Sequence, residues 1–274
     1  MKICLAILLA ACPISLWAQV EWVPEDAPQV VFAGEARKIR VTFSNPTDKT
    51  VEVQVRTRVF QASSATAMPL GQAQPWKRLQ VLAGQTIIES ALVSFPAVNA
   101  GTRFLVHWLD EQGKVLGSTE VTVHPPGLVK ELKAFAGGKA LGVFDPRDQL
   151  KPLLKELKVD FEDLEQTGWE NFSGRLAIVG PLTPPAPAPT DLAKRIKSVA
   201  KTGGAVVWMQ VPSRPPTNTE LPAYLIREGD GTVVFAQSKT FSELADNPRA
   251  QLDLIHLASL ALQPDGWEST LLTP

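Results

Sequence analysis

The sequence predicts two domains: an all-β antiparallel sandwich, followed by an α/β domain with a doubly wound, mostly parallel sheet. From Gln29 to His124, apolar and polar residues alternate with period two, which is typical of strands with one buried and one solvated face. After Pro125-Pro126-Gly127 the alternation stops, and short apolar runs separated by amphipathic helical segments follow. With 274 residues, 45% hydrophobic and 20% charged, the chain is long enough for both domains and has the composition of a folded protein.

The N-terminal segment 1–18 has the layout of a secretory signal peptide, with Lys2, an apolar run and a small residue at Ala18. The alternative is a lipoprotein leader, because residues 9–12 (LAAC) resemble a lipobox that would anchor the chain through Cys12. We therefore expect an exported protein, periplasmic or secreted, with no transmembrane span in the mature chain. Both cysteines lie in this leader, so cleavage after Ala18 leaves no disulfide and no thiolate.

Charge and histidine spacing argue against several kinds of ligand. The formal net charge is −1 with acids and bases interspersed, so no nucleic-acid surface is predicted. His107, His124 and His256 lie far apart in the sequence without the spacing of a metal site. We therefore predict neither a metal nor another cofactor.

The first domain is predicted to span 19–125. Its predicted strands are 29–33, 36–44, 50–60, 76–82, 85–95, 102–110 and 114–124. In the second of them Ile39, Val41 and Phe43 should face the core, and Lys38 and Arg40 the solvent. Short alternating strands of this number resemble the immunoglobulin-like or fibronectin-type sandwiches of exported bacterial proteins.

A linker at 126–139 is predicted to lead into a second domain at 140–265, with a tail at 266–274. The predicted strands are 140–144, 159–164, 176–180, 205–211 and 233–236, and the predicted helices are 147–157, 191–202 and 248–262. Gly203 should end the second of these helices in a left-handed conformation.

Three segments of the second domain carry a resemblance to the class I glutamine amidotransferase-like superfamily, which has a flavodoxin-type sheet. They are LGVFDP (141–146), LAIVGPL (176–182) and GGAVVWMQV (203–211). In active members of this superfamily, the third segment runs into a Gly-x-Cys-x-Gly turn that carries the nucleophile. Aligned on the paired glycines, the cysteine position falls on Gln210, whose amide is not a nucleophile.

The rest of the superfamily's catalytic pattern is also missing. The two turn glycines correspond to Trp208 and Pro212, which do not suit a strained, tightly packed turn. His256 is the one histidine late in the domain, and Leu257 follows it, with no acid two positions on. The resemblance therefore implies a degenerate domain without the Cys-His-Glu triad, and we predict no catalytic residue.

A possible ligand rim is predicted where the strands of the second domain end, because ligands of open parallel sheets bind outside the carboxyl ends of the strands. Asp145, Arg147 and Asp148 follow the first of these strands, and Trp169 and Trp208 complete the rim, with Trp169 expected to be exposed. The alternative is structural: Asp145 ends the strand, and the charge of Asp148 stabilises a helix N-terminus.

Two further groups of residues are interpreted as structural. Glu162, Asp163 and Glu165 are expected to form a solvated acidic edge. Lys139, after Gly137-Gly138, is interpreted as part of a loop before a strand, because the sequence has no P-loop or dinucleotide-binding motif.

The function predicted is that of an exported, non-catalytic interaction or scaffold protein of the bacterial envelope or of a carbohydrate-processing system. Its protein partner is expected to contact proline-rich loops near Pro184 and Pro215, although these loops could equally be stiff spacers. One alternative is a carbohydrate-binding accessory module, which requires exposed, coplanar tryptophans. The other is a hydrolase that uses the carboxylates of Asp145 and Asp148.

Overall fold

The computed structural model describes residues 20–182, 190–210, 223–237 and 240–266. The predictions about the leader, the proline-rich loops and the tail beyond 266 therefore lie outside the described residues. The described chain contains several sheets, with both antiparallel and parallel strands, and few helices. Among the described residues, no helix combines the length and the apolar composition that a membrane span requires.

The chain divides into two compact units that interleave along the sequence. The first contains residues up to 29 together with 38–93 and 103–121, and the second contains 30–37, 94–102 and everything from 122. Phe32 belongs to the second unit because its side chain is part of that unit's hydrophobic core. The predicted domain boundaries at 125 and 140 stay predictions.

Eight strands form between residues 20 and 124, the described part of the chain before residue 125. In chain order they are β1 (Glu21–Val23), β2 (Gln29–Phe32), β3 (Arg37–Ser44), β4 (Val51–Ala62), β5 (Ala67–Val81), β6 (Thr86–Val93), β7 (Thr102–Leu109) and β8 (Val115–His124). One sheet has the order β1-β3-β6, and another has the order β2-β8-β7-β4-β5. β3 shows the predicted alternation, since Ile39, Val41 and Phe43 are fully buried and Lys38 and Arg40 are exposed.

The strand predicted at 76–82 is in fact the end of the much longer β5. The sequence pattern did not predict its first part, because Pro69, Gly71 and Pro75 are residue types that are uncommon inside strands. An edge strand tolerates prolines because one side of it needs no ladder hydrogen bonds, and β5 is the edge of its sheet. Register shifts at Val55/Arg56 and Thr57/Val59 mark bulges in the pairing of β4 with β5, and they end the strict alternation that the valines of β4 suggest.

Helices and strands mix after residue 127. A 3-10 turn (Leu128–Glu131) and α1 (Leu132–Phe135) come first, followed by β9 (Leu141–Phe144), α2 (Lys151–Glu156), β10 (Phe161–Asp163), β11 (Leu176–Val179), α3 (Thr190–Lys201), β12 (Ala205–Gln210), β13 (Ala223–Glu228), β14 (Gly231–Gln237), a 3-10 turn (Thr240–Glu243), α4 (Pro248–Leu262) and a last 3-10 turn (Pro264–Gly266). The predicted linker thus contains helical turns, because Leu128, Val129 and Leu132 are buried in the core.

These strands form a six-stranded sheet in the order β10-β9-β11-β12-β14-β13. Its pairs are parallel except for β13, which pairs antiparallel with β14 at one edge. Alternate strand residues enter two cores: one face packs against α1, α2 and α4, and the opposite face packs against α3. As predicted, α3 is followed by Gly203 with a φ of 87°.

Candidate functional site

The predicted rim lies at the carboxyl ends of β9, β10, β11 and β12, which we call the carboxyl edge. Asp145 directly follows β9 and is 1% exposed. Its Oδ2 accepts hydrogen bonds from the backbone N–H groups of Leu150 (2.7 Å) and Lys151 (3.1 Å), at the start of α2. The carboxylate therefore satisfies the first free donors of this helix and complements its positive end. The structural alternative predicted from the sequence gave this role to Asp148, so the structure moves it to Asp145.

The other carboxylate oxygen of Asp145 points at the neighbouring strand. Oδ1 is buried and has no hydrogen-bond partner among the described residues. A Cβ at Gly180 would lie 2.9 Å from Oδ1, so the absence of a side chain at position 180 makes room for this carboxylate.

Arg147 and Asp148 lie on the outside of the same turn. Both are exposed, and the side chain of Asp148 is 75% accessible. Asp148 adopts a φ of 49°, a left-handed conformation that aspartate tolerates better than most residues. Asp145 is therefore buried and hydrogen-bonded to a helix terminus, whereas the side chain of Asp148 is exposed to solvent.

A buried lysine lies at this edge, and no pattern in the sequence predicted it. Lys151, in the first turn of α2, has a side chain only 7% exposed. Its Nζ lies 3.0 Å from Asp163 Oδ2, forms a still shorter ion pair with Glu165, and lies 3.9 Å from Asp148 Oδ1. The prediction of a solvated acidic edge is therefore wrong for Asp163, which is half-buried, whereas Glu165 is exposed as predicted but pairs with the buried ammonium.

The pKa of Lys151 reflects two opposing effects. Burial alone lowers the pKa, but hydrogen bonds to Glu165 and Asp163, together with their negative charges, outweigh burial and raise it above its usual value. Lys151 is thus a protonated structural cation at neutral pH, and an amine in this state is not a nucleophile.

Trp169 and Trp208 do not form an exposed rim. The expectation that Trp169 is exposed is wrong, since it is 4% exposed and packs against Phe144, with 5.9 Å between ring centroids. Trp208 is 6% exposed, and its ring centroid lies 4.9 Å from that of Phe235. Both indole N–H groups are buried without a hydrogen-bond partner among the described residues.

The burial of Trp208 follows from strand register. Phe144, Val179, Trp208, Phe235 and Tyr224 are successive register partners across five strands. Tyr224 stacks on Phe235 with 4.9 Å between ring centroids and an interplanar angle of 11°. Phe144, Val179, Trp208 and Phe235 fill the face that α3 covers, while Tyr224, at the edge of the sheet, is exposed. The pairing of neighbouring strands, not the pattern of any single strand, creates this row.

Gln210 is the last residue of β12 and is half-buried, with Gln237 of β14 as its register partner. The turn beyond it, including Pro212, lies outside the described residues. His256 is exposed on α4. Within the described ranges, no group of three or more His, Cys, Asp or Glu side chains is placed to hold a metal ion.

A cavity of about 520 Å³ lies at the opposite, amino edge of the same sheet. We call it the amino-edge cavity. Its lining residues are Ala136, Gly137, Lys139, Phe172, Ser173, Gly174, Arg175, Val199, Thr202, Gly203 and Gly204. The lining includes four glycines and two basic side chains, a combination that the sequence interpretation of Lys139 as a simple loop residue missed.

No protein-family model matches the chain, and no curated protein matches it. Similar solved structures include the alkylpurine DNA glycosylase AlkC of Pseudomonas fluorescens bound to DNA containing an abasic site analogue (19% identity, 39% of this chain and 31% of that chain covered, TM-score 0.30). They also include the β-glucosidase of Listeria innocua in complex with glucose (15% identity, 39% and 16% covered, TM-score 0.28). A third is the β-D-glucoside glucohydrolase of Trichoderma reesei (11% identity, 39% and 19% covered, TM-score 0.28). The chain spans less than a third of each of these proteins, and likenesses this small carry no argument about its function.

Proposed function

We propose that the protein is an exported, non-catalytic interaction or scaffold component of the bacterial envelope or of a carbohydrate-processing system. The proposed architecture is an immunoglobulin-like sandwich followed by a degenerate amidotransferase-like domain. The antiparallel sheets of the first eight strands and the mainly parallel sheet between helices of the second unit support it. Export by a signal peptide, with lipid anchoring through Cys12 as the alternative, is part of the same proposal.

The observation that carries the non-catalytic proposal is the internal neutralisation of the carboxyl edge. Asp145 is bound to the start of α2, and Lys151 is bound by Asp163 and Glu165. A general acid or base must be able to exchange a proton with a substrate, and these groups are committed to one another and to the backbone. Gln210, at the end of β12, adds an amide that supplies no nucleophile.

A genetic complementation experiment tests this proposal. A strain lacking the protein is complemented with wild type, with Asp148→Asn, or with Pro184 and its neighbouring prolines replaced by glycine and serine. We expect Asp148→Asn to restore the wild-type phenotype, because no chemistry depends on that carboxylate, and the loop variant to fail. Loss of function with Asp148→Asn and full function with the loop variant would favour the hydrolase alternative instead.

A photo-crosslinking experiment looks for the partner directly. A photoreactive amino acid at Pro184 or Pro215 should give a discrete adduct in living cells. The same amino acid at Arg78 is the control, because that side chain is 72% exposed in the other unit. Adducts of equal yield at all three positions would indicate random collisions and count against a partner at the loops.

Carbohydrate binding is the second candidate, and a cavity in the first unit favours it. This cavity, of about 270 Å³, is lined by Trp22, Asp26, Ser118 and Glu120 among others. Trp22 lies against the backbone of Gly117, where a Cβ would come within 2.2 Å of the indole. An indole beside carboxylates and a hydroxyl suits a sugar ring, with stacking on one side and hydrogen bonds on the other.

Calorimetric titration with soluble oligosaccharides tests this second candidate. We expect binding by the wild-type protein and none by Trp22→Ala. Trp169→Phe serves as the control for a tryptophan that is buried elsewhere. Absence of heat with cellulose-, chitin- and starch-derived oligosaccharides would remove the candidate.

A further inference from the structure

We propose that the amino-edge cavity binds the oxyanion group of a small molecule, either a phosphate or a carboxylate. This inference is independent of the proposed scaffold role. Lys139 and Arg175 are both exposed, and both line the cavity. Neither forms an ion pair with any carboxylate among the described residues, whereas Lys151 of the same unit contacts three.

The position of Lys139 is set by one hydrogen bond. Its Nζ donates to the backbone carbonyl of Ser173 at 2.8 Å. Because an ammonium group has three N–H donors, this bond holds the side chain at the cavity and leaves donors for a ligand. Arg175 lies beside Gly137, where a Cβ would be 3.7 Å from its Cδ, so the two cations border the same space.

Negative charge near the cavity is too small to cancel these two cations. The C-terminus of α3 faces the cavity, and a helix end carries only about half a unit charge. Two of its last carbonyls already accept hydrogen bonds: Gly203 N–H donates to Ala200 O (3.0 Å), and Gly204 N–H (3.0 Å) and Thr202 Oγ1 (2.9 Å) donate to Val199 O. One exposed carboxylate, that of Asp230, belongs to a residue whose Cβ is near Gly203.

The size and walls of the cavity indicate a ligand larger than a bare ion. Its volume of about 520 Å³ falls within the range of small-molecule sites, roughly 300–1,000 Å³. Phe172 supplies an apolar wall, and its ring is packed so closely on Gly142 and Gly174 that a Cβ at Gly174 would lie 2.3 Å from it. The fixed ring and the two cations together fit an oxyanion attached to an organic group.

Binding is measured by titrating ¹⁵N-labelled protein at low ionic strength with inorganic phosphate, phenyl phosphate and benzoate, each in turn. We expect saturable shifts of the amide signals of Gly137, Gly174 and Gly204 with at least one probe, and tighter binding of phenyl phosphate than of inorganic phosphate. Comparing phenyl phosphate with benzoate then identifies the oxyanion as phosphate or carboxylate.

Charge-removing variants locate the site. Lys139→Gln and Arg175→Gln should each weaken binding by about tenfold or more, since each removes a charge-assisted hydrogen bond. Lys133→Gln is the matched control, because Lys133 is exposed and lies 3.7 Å from Asp160 instead of at the cavity. Circular dichroism of each variant establishes that it is folded.

Two results would overturn the proposal. One is the absence of saturable shifts with all three probes. The other is equal weakening by Lys133→Gln and Arg175→Gln, which would mean that anions are attracted only by the general surface charge. Asp230→Asn provides a further check, because removing this carboxylate should leave binding unchanged or strengthen it.

Discussion

The two edges of the six-stranded sheet use the same kinds of charged residue in opposite ways. At the carboxyl edge, Lys151 is buried and held by Asp163 and Glu165. At the amino edge, Lys139 and Arg175 are exposed around a cavity and have no carboxylate partner in the described parts of the chain. A cation removed from water must be compensated within the protein, whereas an exposed cation stays hydrated until a ligand arrives. Burial and pairing, not residue type, therefore separate a structural charge from one that is available to a ligand.

The largest effect is expected from Lys151→Met, which leaves two carboxylates uncompensated at the carboxyl edge. The side chains of Asp163 and Glu165 remain 19% and 26% exposed, so water partly compensates their charges when the lysine is removed. The loss in unfolding free energy should therefore be about 2 to 4 kcal/mol. Urea unfolding measures it. Lys155→Met, at an exposed position of the same helix, is the control and should change stability by less than about 0.5 kcal/mol.

The pH dependence of the stability lost in Lys151→Met identifies the group that is responsible for it. The folded-state pKa of Lys151 is raised, so its stabilising contribution is fully present below the unfolded value of about 10.4 and is lost as the pH rises through the folded value. The difference in unfolding free energy between wild type and Lys151→Met should therefore be constant from neutral pH to about 9.5, and shrink above about 10.4. A difference that already falls between pH 6 and 8 would assign the stabilisation to another group.

A smaller effect is expected from Asp145→Asn, which keeps the shape of the side chain but removes its charge from the start of α2. The expected loss is about 1 kcal/mol, because a charge-assisted cap becomes a neutral one. Asp148→Asn, the same change three residues later at an exposed position, should alter thermal stability very little. Equal effects of the two variants would contradict the assignment of Asp145 as the cap.

The smallest effect is expected from Arg175→Gln at the amino edge. Without a ligand its unfolding free energy should stay within about 0.5 kcal/mol of wild type, since no ion pair is lost. Adding the oxyanion probe that binds most tightly should then raise the melting temperature of wild type more than that of the variant at the same probe concentration. A large loss of stability without ligand would make Arg175 structural, and the contrast between the two edges would disappear.

The sequence predicted best the strands and helices whose apolar residues recur at a regular spacing. The helix predicted at 248–262 is α4 (Pro248–Leu262) to the residue, because Asn247 caps it and Pro248 begins it. β13 was not predicted. The Gly229-Asp230-Gly231 turn between two apolar stretches is typical of a β-hairpin and indicates a strand on each side of it.

The candidate sites were less predictable than the elements. Lys151 reads as a surface residue at the start of a helix, and only the packing of α2 against β10 shows that Asp163 and Glu165 surround its ammonium. Lys139 and Arg175 are separated along the chain and meet only because α1 and β11 place their loops at the same edge of the sheet.

The positions of β3 and of α4 follow from the sequence, because alternation and helix capping are properties of neighbouring residues. The folded arrangement sets the burial of Trp169 and Trp208 and the neutralisation of Lys151. It also brings Lys139 and Arg175 to the amino-edge cavity, where neither has a carboxylate partner among the residues that the structure describes. Burial and charge compensation depend on residues distant in the chain, whose positions are fixed only when strands pair and helices pack.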